Sequence, residues 1–187
     1  MKKNDLTKKI ATIAILIAVA ITLQFIANYV TLGPVSITLA LIPIVIGAII
    51  VGPLGGFIIG LCVGVAVIFA PSTLSLFYPI NPFATILICL LKTALAGLGA
   101  GYLFKAISKK NEKVATIIAS CIVPVINTLL FAIASLIFYR SLLNGDKGVW
   151  YTLIISFIGF NFLIEFATNA LLSNAVYALI KYQKRQG

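Results

Sequence analysis

The chain has no histidine and only four acidic residues in 187. It contains no G-x-x-x-x-G-K-[ST] loop, no H-E-x-x-H and no G-x-S-x-G. Nucleotide hydrolysis and the common intramembrane hydrolase chemistries therefore have no residues to run on, and the chain reads as a non-enzyme with no cofactor. Cys62, Cys89 and Cys121 each sit inside an apolar segment without a C-x-x-C or histidine partner, so metal ligation lacks ligands and the three read as small buried hydrophobes. Charge is also scarce, at 10% of residues against 61% hydrophobic. That balance describes an all-α polytopic membrane protein and not a soluble core.

What charge there is runs to one sign, with a net of +10, and it is clustered. Lys2, Lys3, Lys8 and Lys9 form one group, Lys105, Lys109, Lys110 and Lys113 a second, and Lys181, Lys184 and Arg185 a third. A basic balance in a soluble chain would suggest nucleic acid, but these cations flank long apolar runs without interleaved aromatic platforms. They act instead as a topology signal.

Apolar runs punctuated by Pro34, Pro53, Pro71, Pro79 and Pro82 predict six helices, near 10–30, 37–51, 53–70, 83–106, 114–140 and 149–175. The first is long enough to cross a bilayer core of roughly 30 Å, and Ala27-Asn28-Tyr29 is a poor cleavage site, so this segment reads as a span and not a signal peptide. The second and third are the weakest: the second is short, carries Pro43, and joins the third through Gly52-Pro53-Leu54-Gly55-Gly56, so a re-entrant hairpin stays open. With all six crossing, the three basic clusters fall on one side, and both termini are expected to be cytoplasmic, as in a single-domain protein of a prokaryotic plasma membrane. The outer loops are then Thr31–Ser36, Pro71–Pro82 and Ser141–Gly148, with Phe77, Tyr78, Tyr139, Trp150 and Tyr151 at interfacial depth.

Helices associate in lipid by close backbone approach. Gly52, Gly56, Gly60 and Gly64 form a four-residue ladder suited to internal packing, and Ala96, Gly97, Ala100 and Gly101 repeat the theme on the fourth span. Ala14 and Ala18, flanked by Ala11 and Ala20, make another small-residue pair on the first span, where docking of a second membrane subunit rivals internal packing.

An isolated charge at the centre of a membrane helix costs roughly 2.5 to 3.5 kcal/mol on insertion scales, and two interrupt the apolar runs: Lys92 and Glu165. Asn127 and Thr128 lie mid-span beside Pro124, and Asn161, Glu165, Thr168 and Asn169 recur on one helical face. Such a stripe must face protein or water. It serves either a solvated pocket for a small polar solute or a structural Lys92–Glu165 ion pair.

The ordered series Ala14-Ile-Leu-Ile-Ala18, Gly33-Pro34-Val35-Ser36-Ile37-Thr38, Val51-Gly52-Pro53-Leu54-Gly55-Gly56, Ala70-Pro71-Ser72, Tyr78-Pro79-Ile80-Asn81-Pro82, Lys92 and Gly97-Leu-Gly-Ala-Gly101 resembles the substrate-binding S component of energy-coupling factor (ECF) vitamin transporters over nearly the whole chain. The resemblance implies a compact six-helix bundle that binds a vitamin at the outer ends of spans four to six. It implies docking of the first three spans on a membrane coupling protein that carries two ATPases, and release of the cargo inside as the module topples. On it, Tyr78, Asn81, Lys92, Asn127, Asn161 and Glu165 are the expected substrate-binding residues, and Ala14 and Ala18 the docking pair. The Gly-Pro-Val-Ser-Ile-Thr, Ala-Pro-Ser and Asn-Pro stretches look most like pantothenate members, with Lys92 meeting the ligand carboxylate. Riboflavin ranks second, because a riboflavin site should carry more aromatic surface inside the pocket and here the aromatics are expected chiefly at the rim. Folate, niacin, biotin and pyridoxine stay open, as does a different class of protein: a stand-alone six-span carrier or channel with no ATPase partner.

Overall fold

The computed structural model describes residues 3–29, 36–144 and 148–186, with side chains excepted for 3–5, 156, 157 and 183–186. Lys2, the Gly33-Pro34-Val35 stretch, most of the Thr31–Ser36 loop, part of the Ser141–Gly148 loop and the side chains of Lys3, Lys184 and Arg185 lie outside the described residues.

Long, mainly apolar runs form the long helices α1 (Lys3–Ala27), α4 (Pro82–Ile107) and α5 (Glu112–Phe138), the last continuing through Pro124. Each of the last two opens on an asparagine whose side-chain oxygen accepts from a backbone N–H of the first turn, Asn81 from Ala84 and Asn111 from Val114, both at 3.0 Å. Between α1 and α4 lie the shorter α2 (Leu41–Ile50) and α3 (Pro53–Ile68), followed by a π-helical segment Thr73–Phe77. After α5 come the brief α6 (Arg140–Leu143) and α7 (Val149–Tyr151), a second π-helical segment Thr152–Gly159, and α8 (Phe160–Gln186).

These bounds shift the sequence reading in places. The second helix starts at Leu41 and not at residue 37, and the last runs to Gln186, well past 175. Four helical stretches, Leu6–Ala27, Pro82–Ile107, Glu112–Phe138 and Val149–Tyr182, are long and apolar enough to cross a membrane. With 10 and 16 residues, α2 and α3 extend only about 15 and 24 Å.

Gly52, in the turn between α2 and α3, has φ of +110° and nothing near the place of a Cβ, so it serves the turn and is not the top of the ladder. The ladder proper is Gly56, Gly60 and Gly64, which let α3 lie directly on α4. A Cβ on Gly56 would meet the Gly97 carbonyl oxygen at 2.6 Å, one on Gly64 the Cys89 oxygen at 2.5 Å, and one on Gly60 the Thr93 carbonyl. Thr93 uses that closeness, its Oγ1 donating to the Gly60 carbonyl at 2.7 Å. Further along, Gly101 of α4 admits Pro53, which sets the α2–α3 turn beside the Lys105 end of α4.

From α4 the packing continues to α5 and from α5 to α8, while α1 rests on α2 and α3. Peripheral placement leaves α1 poorly covered: 17% of its apolar stretch is buried, against 50% for α4. Its Ile13, Leu16, Ile17 and Ala20 turn to the core. Ala11, Ala14 and Ala18 face outward, beside Ile15 and Val19.

Candidate functional site

Lys92 stands in the first half of α4, where the backbone is fixed by contact with α3 on one side and α5 on the other. Its side chain is 7% exposed, and its Nζ lies 5.2 Å from the centroid of the Phe131 ring of α5. A cation over an aromatic face is stabilised by about 0.5–2 kcal/mol, less than a desolvated ammonium gains from a carboxylate. No ion pair within 4.0 Å joins Lys92 to Glu165 among the described residues.

Glu165, on α8 and 5% exposed, has its carboxylate engaged elsewhere. Its Oε1 accepts the backbone N–H of Thr38 at 2.7 Å, and its Oε2 accepts Asn127 Nδ2 at 3.4 Å. Lys92 and Glu165 thus line one cavity without a contact at ion-pair distance, although the ammonium still acts on the carboxylate through space. Asn127 Oδ1 is buried without a partner. An unsatisfied buried acceptor costs about 1–3 kcal/mol, and here it is one that a ligand N–H or O–H would satisfy.

Two adjoining cavities meet at these groups. The first, about 310 Å³ with its mouth included, is lined by Lys92, Asn127, Thr128, Asn161 and Glu165, with Ile158 and Phe162 among its apolar walls. The second, about 410 Å³ on the same basis, is bounded by Thr73, Phe77, Thr85, Ile88, Cys89 and Tyr139. Ser36, Thr38, Lys92 and Phe131 line both. Small-molecule sites are commonly apolar in the main with a few convergent polar groups. One cavity here is rich in amide, hydroxyl and charged groups, and the other mixes hydroxyls with aromatic and aliphatic walls.

Of the six residues expected to bind substrate, Lys92, Asn127, Asn161 and Glu165 line the first cavity, whereas Tyr78 and Asn81 line neither. Asn81 is occupied as the N-cap of α4, and Tyr78 follows the π-helical segment with its side chain at the surface. Ser36, Thr38, Thr85, Phe131 and Tyr139 escaped the sequence reading. Thr38 acts through its backbone, and no side-chain pattern announces that.

The placing of aromatics also needs correction. Tyr78, Trp150 and Tyr151 are at the surface, but Phe77 and Tyr139 are buried. They pack edge to face at 5.0 Å, Phe77 meets Phe131 in the same manner at 5.6 Å, and Tyr139 Oη shares a 2.7 Å hydrogen bond with Thr85 Oγ1. A partner for the phenol hydroxyl is what allows a tyrosine to go inside.

On α8, the stripe Asn161, Glu165 and Asn169 is buried, and Thr168 is half-buried. Asn169 donates to the Glu165 carbonyl of its own helix at 2.8 Å and lies beyond the cavity wall. No cluster of three or more potential metal ligands occurs among the described residues.

The family model described as "ECF transporter, substrate-specific component" matches residues 8–181. A search of curated proteins finds no match.

Proposed function

The chain belongs to the family of ECF transporter substrate-specific components, and from that premise we propose that its paired cavities take up a carboxylate-bearing vitamin or vitamin precursor, pantothenate first. Family membership supports a membrane transport component that works with a coupling protein and ATPases, and the family is one of transport components, not of enzymes. The observation that carries the solute reading is Lys92, a buried ammonium on the wall common to both cavities, with an aromatic face but no carboxylate at ion-pair distance among the described residues. A ligand carboxylate completes it. Asn127 Oδ1 beside it accepts from a ligand hydroxyl or amide.

Riboflavin remains the second reading, favoured by the Phe77–Phe131–Tyr139 cluster along the second cavity. Those rings pack edge to face on one another, an arrangement less suited to a flat ligand than a free stacking platform.

The six-span arrangement is supported by where the turns lie. The basic clusters occupy the start of α1, the α4–α5 junction and the end of α8. Lys105 is about 20 Å along α4 from Lys92 at 1.5 Å per residue, and the α2–α3 turn is beside that same end. Ser36, Thr38 and Val67, at the other ends of the α2–α3 pair, border the cavities. With the basic ends cytoplasmic, as in a prokaryotic plasma membrane, the cavities open outward and the docking pair Ala14 and Ala18 faces the coupling protein. Mass spectrometry of the solute released from the purified protein tests the assignment: a carboxylate-bearing vitamin supports it, and an uncharged or cationic solute overturns it.

A further inference from the structure

Ile37 and Thr38 share one peptide group, and two distant helices hold it from opposite ends. Its carbonyl oxygen accepts from Gln24 Nε2 of α1 at 3.4 Å, and its N–H donates to Glu165 Oε1 of α8 at 2.7 Å. Gln24 is fully buried, on a helix that is otherwise mostly uncovered. The same Nε2 donates to Asn28 Oδ1 one turn on at 3.0 Å, which fixes the amide's orientation, and Gln24 Oε1 has no partner. General helix packing does not call for a glutamine at this place, since leucine would fill it without an unsatisfied acceptor.

We infer that Gln24 is a positioning residue for the solute site, acting through the Ile37–Thr38 peptide to hold the Glu165 carboxylate. A donor on the carbonyl polarises the peptide and strengthens donation by its N–H. Gln24 also fixes where that N–H points, and therefore where Oε1 rests. Oε2 is then left to Asn127, a residue of the cavity wall whose Oδ1 has no partner. One peptide thereby links α1, the helix with the outward-facing alanines, to the cavity wall. The inference rests on the cavity being the solute site.

The test uses the full chain purified in lipid nanodiscs, with pantothenate as the probe. Gln24→Leu should weaken pantothenate binding by about fivefold, in the range for loss of one hydrogen bond. Because both residues act through one peptide, Gln24→Leu with Glu165→Ala, which leaves the Thr38 N–H no acceptor, should bind no more weakly than Glu165→Ala alone, whereas effects that multiply mark independent sites and overturn the inference. Exchange of the Thr38 amide proton, followed by NMR on threonine-labelled protein without ligand, supplies a readout independent of the solute. Gln24→Leu should accelerate it about tenfold, and an unchanged rate overturns the inference. If the native protein does not bind pantothenate, the solute assignment fails while the exchange rate still decides the role of Gln24. Gln24→Met, unbranched and apolar, replaces Gln24→Leu if the latter does not yield monodisperse protein.

Discussion

The Thr38 N–H meets the Glu165 carboxylate at 2.7 Å across 127 positions of sequence, tying the entry to α2 to α8 in the buried wall of the first cavity. That bond, with Asn127 on the other oxygen, makes Glu165 an acceptor for the protein before any ligand arrives. Glu165→Gln keeps one acceptor for Thr38, and its new amide hydrogens can meet Asn127 once that side chain turns its oxygen toward them. Glu165→Ala keeps neither. Pantothenate affinity measured by calorimetry should therefore fall further in Glu165→Ala than in Glu165→Gln, by about tenfold or more. Equal losses in the two variants would show that the charge, which both remove, matters more than the hydrogen bonds.

Lys92 should behave as a ligand contact and not as a counter-ion. Lys92→Gln is expected to weaken pantothenate binding by about 2 kcal/mol, roughly 30-fold, in the range for truncating a buried charged partner. An analogue with a primary alcohol for the carboxylate should lose little further affinity in that variant. The double change Lys92→Gln with Glu165→Gln should stay weak. Restored binding in the double variant would instead reveal a structural pair whose joint neutralisation is harmless.

Much of the lining of the candidate site was legible because a membrane helix admits polar residues only at a cost. Lys92, Asn127, Asn161 and Glu165 stood out against their apolar surroundings, and four separate helical positions converge on one cavity. Tyr78 and Asn81 misled because the residues of a loop before a helix serve the helix start as readily as a ligand, and Asn81 is consumed as a cap. Thr38 was hidden since its contribution is a backbone N–H, and Tyr139 because its burial depends on Thr85, 54 residues earlier. The glycine ladder was visible in its spacing, but the separate role of Gly52 lies in a dihedral angle.

Stability should be most sensitive where α3 and α4 touch. Gly60→Ala forces a methyl against the Thr93 carbonyl and spreads the pair that the Thr93 hydroxyl bridges. The expected loss is about 1–3 kcal/mol, the usual range for overpacking, read as a lower midpoint in thermal unfolding in detergent. At Gly99 an added Cβ meets only the flexible end of Ile126, so Gly99→Ala should be close to neutral. Equal losses at both positions would point to a general intolerance of alanine in these helices.

Sidedness can be read at the α4–α5 junction, where Lys110 is exposed. A cysteine at position 110, introduced after Cys62, Cys89 and Cys121 are replaced, should react with a membrane-impermeant maleimide only once cells are opened. Labelling in intact cells would place the basic clusters outside and reverse the direction in which the cavities face.

Docking is expected to depend on Ala14 and Ala18, which face away from the bundle while Leu16, Ile17 and Ala20 of the same helix pack into it. Small side chains matter where helix backbones approach closely, and none of the described residues comes close enough to Ala14 and Ala18 to bury them. Enlarging both, Ala14→Leu with Ala18→Leu, should therefore leave pantothenate binding to the isolated protein within about twofold, since surface changes usually shift stability by less than 0.5 kcal/mol. Co-purification with the coupling protein and ATPases should fall sharply, and uptake with it. The separation of the two readouts is the content of the prediction. Parallel loss of binding and uptake would mean that α1 repacks inside the bundle, and unchanged uptake would move the coupling surface to another face of the protein.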